Sequence, residues 1–367
     1  MNGQGDSAGL IYGLSFHYID HLAPLCEIMK VPLLVTEEEM QKTIFAFYPK
    51  LQVIHINYIH LPEYVVSNYK LLFICTPRVL FDEVFFFSQM MHRKKVHTIW
   101  CPHGNSDKGH KVPYMQGLGQ EEALFVYGQK MVDFLQSKGV LLENKSYLMV
   151  GNYRKEHYLQ NQEFYDSLVR AVLSNKIDKR KKTIFYAPTW DDAEKSSSFQ
   201  GALPSLIDSL CGEFNLLIKP HPNLLIDSAI ENRRLIERYE KKEGVFFLLE
   251  FPPIYPLLAA IDIYIGDFSS IGYDVLSFQK PMFFLNGQKR EVQKDQGLYL
   301  YRCGIEVQQE DYVKMLSILH KELPVDQMLF SDIRKEVYEY TFVEQKDLKE
   351  KIETFCIPFL TDELPFF

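Results

Sequence analysis

Short apolar runs recur along this chain, each bounded by turn-forming residues and separated from the next by a segment of helical length. That rhythm leaves little choice of fold. A run apolar at every position, rather than at every second one, suits a strand covered on both faces. Strands of that kind, alternating with helices, build parallel sheets. In the first half the rhythm predicts strands over Leu10 to Leu14, Pro32 to Val35, Gln52 to Ile56, Leu71 to Cys75, His97 to Cys101, Ala123 to Val126 and Tyr147 to Val150. Helices are predicted over Tyr18 to Met29 and Leu80 to Met91. In the second half the expected strands are Thr183 to Tyr186, Asn215 to Ile218, Val245 to Leu249, Ile261 to Ile265 and Pro281 to Leu285. Leu203 to Leu210 and Ser228 to Lys241 are expected as helices.

At 367 residues the chain exceeds one ordinary core, which predicts two domains. The pattern restarts after Gly151 to Arg154, where a polar helix (Glu156 to Asn175) and the basic run Lys176 to Lys182 precede a new strand. The expected division is 1–151 and 152–367, with charged helices from about Asp332 to Phe355.

Composition excludes some functions. Lys and Arg number 40 against 48 Asp and Glu, a net charge of -8, so a broad nucleic-acid footprint is not expected. The six cysteines form no C-x-x-C and several sit in apolar runs. They read as buried thiols of a reducing compartment, the cytoplasm. The first residues carry neither a basic n-region nor an apolar h-region, so no signal peptide is expected. No stretch of about 20 apolar residues predicts a transmembrane helix.

In open α/β sheets, ligands sit beyond the carboxyl ends of the strands. Five strand exits carry chemistry. Pro102-His103-Gly104-Asn105-Ser106-Asp107-Lys108-Gly109 offers His103 as a general base, with its glycines admitting close backbone approach and Asp107 orienting the histidine or capping a turn. Ala187-Pro188-Thr189-Trp190-Asp191-Asp192 offers the Thr189 hydroxyl. Lys219-Pro220-His221-Pro222 locks a histidine beside a lysine, a pair that can donate to phosphate oxygens. Gly266-Asp267-Phe268-Ser269-Ser270 suggests Ser269 or Ser270 as the N-cap of a helix whose first N–H groups hold an anion. Asp267 then suits a ligand hydroxyl, or partners His103 or His221. Finally, Ser15 and His17 follow the first strand and suit an acceptor side. His17 and His21 have metal-pair spacing, but with no third ligand nearby no metal is expected.

Pro-His-Gly, Tyr-Ala-Pro-Thr-Trp, Lys-Pro-His-Pro and Gly-Asp-Phe-Ser-Ser-Ile-Gly-Tyr-Asp occur in that order, followed by Lys280-Pro281. From about residue 96 to 290, and most strongly from 183 to 286, the chain resembles the CDP-glycerol glycerophosphotransferase family of teichoic-acid enzymes. The resemblance implies two Rossmann-like domains facing across a cleft, the GT-B arrangement, with parallel sheets and helices on both faces. It implies transfer of phosphoglycerol, or a similar polyol phosphate, from CDP-glycerol or a related activated donor, with release of CMP and without a cofactor or metal. The acceptor would be a polyol, glycan or lipid-linked hydroxyl. By similarity His103 is the base, His221 lies near the donor pyrophosphate, and Asp267, Ser269 and Ser270 bind the donor. Arg154 matches an interdomain Gly-x-x-Arg-like segment. The sequence departs from the family at Asp191, where Arg is usual after Pro-Thr-Trp, and at Phe268, where Tyr is usual.

A nucleotide-sugar glycosyltransferase, a sugar-nucleotide epimerase and a non-catalytic binding protein on the same fold are the alternatives. The basic runs His92 to Lys95 and Lys176 to Lys182 are either solvated surface or peripheral contacts with the inner face of a membrane.

Overall fold

The apolar rhythm becomes two parallel sheets. The computed structural model describes residues 5–109, 115–140, 145–174, 176–226 and 229–361. The first sheet holds β1 (Ser7–Ile11), β2 (Leu33–Val35), β3 (Val53–His55), β4 (Leu71–Ile74), β5 (His97–Trp100), β6 (Ala123–Val126) and β7 (Ser146–Met149). Their order is β3-β2-β1-β4-β5-β6-β7, every pairing parallel. The second holds β8 (Thr183–Ala187), β9 (Asn215–Ile218), β10 (Val245–Phe247), β11 (Ile263–Gly266), β12 (Met282–Asn286) and β13 (Ile305–Gln308). Its order is β10-β9-β8-β11-β12-β13, again all parallel.

Both sheets are thus doubly wound, with the order reversing between β1 and β4 and between β8 and β11, the switch points where such folds bind ligands. The helices are α1 (Ile19–Met29), α2 (Glu38–Phe47), α3 (Leu61–Asn68), α4 (Val79–His92), α5 (Gln129–Ser137), α6 (Tyr153–Gln160), α7 (Gln162–Leu173), α8 (Phe199–Leu210), α9 (Ala229–Tyr239), α10 (Tyr255–Ala260), α11 (Ile271–Val275), α12 (Met315–Thr341) and α13 (Leu348–Leu360). The α/β architecture of parallel sheets expected from the sequence is the one observed. None of the helices among the described residues is long and apolar enough to cross a membrane.

Three differences from expectation have physical causes. β1 begins and ends earlier than Leu10 to Leu14, because Gly13 turns the chain with φ 70° and Leu14 is exposed. The expected helix over Glu156 to Asn175 is two helices, α6 and α7. Asn175, and Ser228 at the start of another expected helix, lie outside the described residues. β13 was not anticipated, because Ile305-Glu306-Val307-Gln308 alternates as an edge strand does and lacks a continuous apolar run.

The division of the chain also needs correcting. One compact unit comprises 1–103, 115–157 and 341–367, and the other 104–114 and 158–340. The single boundary at 151/152 therefore misassigns the C-terminus, which returns to the first unit. Val343 N donates to Tyr127 O at 3.2 Å, and Gln345 Nε2 to Met149 O at 2.6 Å. Gly151 (φ 62°) is what lets that returning segment pass: a Cβ there would lie 2.3 Å from Val343 O. α13 then packs aromatic rings on the sheet, Phe355 against Phe125 and Phe359 against His97. A sequence scan for where a strand–helix pattern restarts cannot see such a return.

Candidate functional site

In the second unit the site is built at the β8/β11 switch point. The exit of β11 places Asp267 with its carboxylate wholly buried, at 0% exposure. Its Oδ1 accepts from Thr189 N (2.9 Å), and its Oδ2 from Ser198 N (2.8 Å) and Ser198 Oγ (2.7 Å). Burial pushes this carboxyl up from its ordinary range, while those donors and Lys108 pull it down. Asp267 therefore ties the β8 exit loop to the end of β11. This corrects the expectation that Asp267 touches a ligand hydroxyl or a histidine: no face of it reaches solvent.

Residues 104–109 join this unit. Gly104 has φ 124°, and a Cβ there would stand 2.7 Å from Ser270 Oγ, so only glycine fits. Asp107 accepts from Tyr273 Oη (2.6 Å) and Leu300 N (3.0 Å). It anchors the loop and does not orient His103, whose buried Nδ1 has no partner among the described residues. Beyond it, Lys108 donates to Thr189 Oγ1, pairs with Asp192 at 3.0 Å and lies 5.3 Å from the centre of the Trp190 ring. Burial lowers the Lys108 pKa, and Asp192 opposes that shift. The Nδ2 of buried Asn105 is a further donor with no partner among the described residues.

His221 lies 6.4 Å from Trp190, ring to ring. Its Nδ1 accepts from Asn223 N at 3.2 Å, which puts the neutral ring's proton on Nε2. Lys219 is turned onto Phe251 O at 2.7 Å. Ser269 is buried and Ser270 half-buried. The expected N-cap is not made: Ser270 is itself helical (φ -60°, ψ -23°) without a capping bond, and α11 is only 5 residues long. So short a helix has a weak dipole, and its start is not the capped anion site expected from the sequence.

The first unit holds a separate cluster. Ser15 starts a 3-10 turn over Phe16–Tyr18 and makes no side-chain cap. The His17 ring lies tilted against Tyr18, centres 4.2 Å apart, and the His103 ring lies 5.0 Å from Tyr18, 6.3 Å from His17 and 5.8 Å from Trp100. Desolvation holds His17 at about 4 and His103 at about 3, so both rings are neutral at pH 7. His21 is buried with Nδ1 at 2.9 Å from Tyr127 Oη, which in turn donates to Pro102 O at 3.0 Å. No group of three potential metal ligands occurs among the described residues.

Arg154 corrects a further expectation. It is buried in this unit, pairs with Asp20 Oδ2 at 2.8 Å and lies over the Tyr127 ring. Its match to the interdomain segment had placed it among the nucleotide-binding residues, but its charge is already answered by Asp20 at 2.8 Å, which fits a structural role better.

Sequence reasoning thus found the strand exits but missed Lys108, Asn105, Asp192 and Ser198. Lys108, Asn105 and Asp192 stood inside flagged loops. Ser198 lies 69 residues from Asp267 and offered no signal.

Residues 141–303 match the family model for CDP-Glycerol:Poly(glycerophosphate) glycerophosphotransferase. Over 146 residues the chain is 29% identical to the teichoic acid poly(glycerol phosphate) polymerase of Bacillus spizizenii (strain ATCC 23059 / NRRL B-14472 / W23). That match covers 38% of this chain and spans about a third, 35%, of the curated relative's length. Among solved structures, the wall teichoic acid polymerase TagF aligns over 98% of this chain and 90% of its own, with TM-score 0.66 and 15% identity. The UDP-GlcNAc 2-epimerase of Neisseria meningitidis aligns over 96% and 100%, with TM-score 0.62 and 10% identity. At these identities both show likeness of fold, and both agree with the GT-B-like pair of doubly wound sheets. The motifs at the exits of β8, β9 and β11 all fall within the matched segment, whereas His103 and Gly104 precede it. Residues 141–303 are thus similar to the CDP-Glycerol:Poly(glycerophosphate) glycerophosphotransferase family.

Proposed function

We propose that this protein is an enzyme that transfers a phosphoglycerol, or similar polyol-phosphate, unit from a CDP-activated donor to an acceptor hydroxyl in cell-surface polymer synthesis. The observation that carries the proposal is the family match over 141–303, which contains the Asp267-tied switch point of the second sheet. A variant of the TagF polymerase, 13% identical here with TM-score 0.65, has been solved with CDPG.

In the reaction the acceptor oxygen bonds to the phosphorus that carries glycerol, the bond from that phosphorus to the CMP phosphate breaks, and CMP leaves. His103 accepts the acceptor proton. Desolvation keeps the ring neutral and able to do so, and an approaching phosphate raises its basicity. The Nε2–H of His221, the hydroxyls of Ser269, Ser270 and Thr189, and Lys219 act on the donor phosphates. Gly104 lets the backbone approach. Ser15 and His17 line the acceptor side. Asp267 acts through the loops it holds, and Arg154 through Asp20. The acceptor is a polyol, glycan or lipid-linked chain, met at the inner face of the cell membrane by a peripherally bound cytoplasmic enzyme.

Calorimetry and CMP release test this with CDP-glycerol and a glycerol-phosphate acceptor. Turnover is expected, and His103→Ala should lower kcat by about 10²–10⁴ with donor affinity retained. Binding of a UDP-sugar but not of CDP-glycerol would sink the proposal in favour of a glycosyltransferase or epimerase.

A further inference from the structure

A catalytic histidine is commonly aimed by a hydrogen bond to its second ring nitrogen. His103 lacks that device: its buried Nδ1 meets no hydrogen-bond partner among the described residues. No carboxylate therefore orients the ring from that side. Packing supplies part of the aim, since the ring sits against Trp100, Tyr18 and His17. What remains to be fixed is the peptide that carries the ring.

Tyr127 follows β6 as Pro102 follows β5, and the two strands are neighbours in the sheet. The Tyr127 side chain is wholly buried, and its hydroxyl donates to Pro102 O at 3.0 Å. That oxygen belongs to the peptide unit joining Pro102 to His103. Holding it sets ψ of Pro102 and φ of His103, while the proline ring already sets φ of Pro102. A hydroxyl carries one proton, and a carbonyl can only accept. With the Tyr127 proton on Pro102 O, the 2.9 Å contact between Tyr127 Oη and His21 Nδ1 takes its hydrogen from the histidine. His21 is thereby held as the Nδ1–H tautomer, and burial keeps its ring neutral. His21 lies in the first turn of α1, directly after the 3-10 turn that carries His17. One phenol thus joins the exits of β5 and β6 to the start of the helix that follows β1. The phenol is itself clamped. Tyr153 stacks on it at 6.1 Å, and Phe342 of the returning C-terminal segment meets it edge-on at 5.5 Å.

We infer that Tyr127 is a positioning residue, which aims His103 by holding the Pro102 carbonyl and locking His21 in one tautomer. The functional consequence rests on His103 being the base proposed above; the geometry does not. Imidazole NMR shifts of the full chain with isotopically labelled histidine, read beside CMP release from CDP-glycerol, test the inference. His21 should show the Nδ1–H tautomer in the wild type. Tyr127→Phe should move the His103 ring signals and lower kcat by about 10–100-fold, with the donor Kd unchanged. Tyr48→Phe is the control. It removes a buried hydroxyl from the same unit, but one that donates to Asp20 at 3.2 Å and not to the His103 strand exit. It should leave the His103 signals and kcat as in the wild type, although both variants melt lower. An Nε2–H tautomer at His21, unmoved His103 signals in Tyr127→Phe, or equal kcat losses in the two variants would each overturn the inference. If Tyr127→Phe moves the His103 signals while the wild type releases no CMP, the positioning stands and the transferase reading fails.

Discussion

Replacing Asp267 by Asn separates a structural carboxylate from a catalytic one. The substitution preserves shape and removes charge. Asp267 receives three donors, and two of them are backbone N–H groups, Thr189 N and Ser198 N, one on each oxygen. An Asn amide offers one oxygen, so in either orientation its NH2 faces a backbone N–H. One hydrogen bond is lost and one buried donor is orphaned, costing about 2–4 kcal/mol. For a unit of this size that is roughly 5–15 °C in melting temperature. Ser198→Ala, which removes the hydroxyl donor to Asp267 and also the partner of the buried Tyr186 Oη at 2.8 Å, should cost about 1–3 kcal/mol. Thermal unfolding followed by near-UV circular dichroism measures both. If Asp267→Asn melts within about 2 °C of wild type yet abolishes turnover, then Asp267 meets the ligand and the structural assignment is wrong.

Gly104→Ala should disturb the loop against Ser270, because it adds strain at φ 124° and a 2.7 Å contact; donor affinity measured by calorimetry should drop while α/β content stays constant. Arg154→Met leaves the Asp20 carboxylate buried without its cation, so stability should fall by about 3–5 kcal/mol in denaturant titration, with the donor Kd little changed. His17 and His103 are held at about 4 and about 3, below the ordinary 6.5. The unfolded chain therefore takes up protons that the folded one refuses. Stability should be complete above pH 6.5 and decline as pH falls toward about 3, with a slope near 1.4 kcal/mol per pH unit for each proton. For the same reason, kcat/KM in the free enzyme should show no acid limb near pH 6.5.

The sheets were legible because their evidence is local. A strand such as Leu71–Ile74, buried at every position, must read as an apolar run. The sites were legible to the extent that they sit at strand exits, since topology fixes those as ligand-facing. Charge roles were not legible. Asp267 invited a catalytic reading because an acid beside two serines looks exposed to a ligand, yet its partners come from residues 189 and 198. Arg154 invited a nucleotide-binding reading, but its partner Asp20 stands 134 residues earlier. Whether a charge is free or already matched is a property of packing, and no spacing rule carries it.

The Asp191 departure shows the same principle from the opposite side. Read position by position, an acid where the family usually has Arg removes a cation from the β8 exit. In the folded unit Asp191 is exposed, while its neighbour Asp192 pairs with Lys108, whose ammonium lies beside Thr189 and 5.3 Å from the Trp190 ring centre. The cation at this strand end thus arrives from the 104–109 loop rather than from the residue after Trp190. Lys108 is nearly buried, so its charge is costly unless matched, and Asp192 supplies the match. An Arg next to Trp190 would have competed with Lys108 for the same carboxylate and the same ring. The acid at 191 and the lysine at 108 are therefore consistent parts of one arrangement, in which the Gly104 turn and the Asp107 anchor hold a cation that the β8 loop does not carry itself.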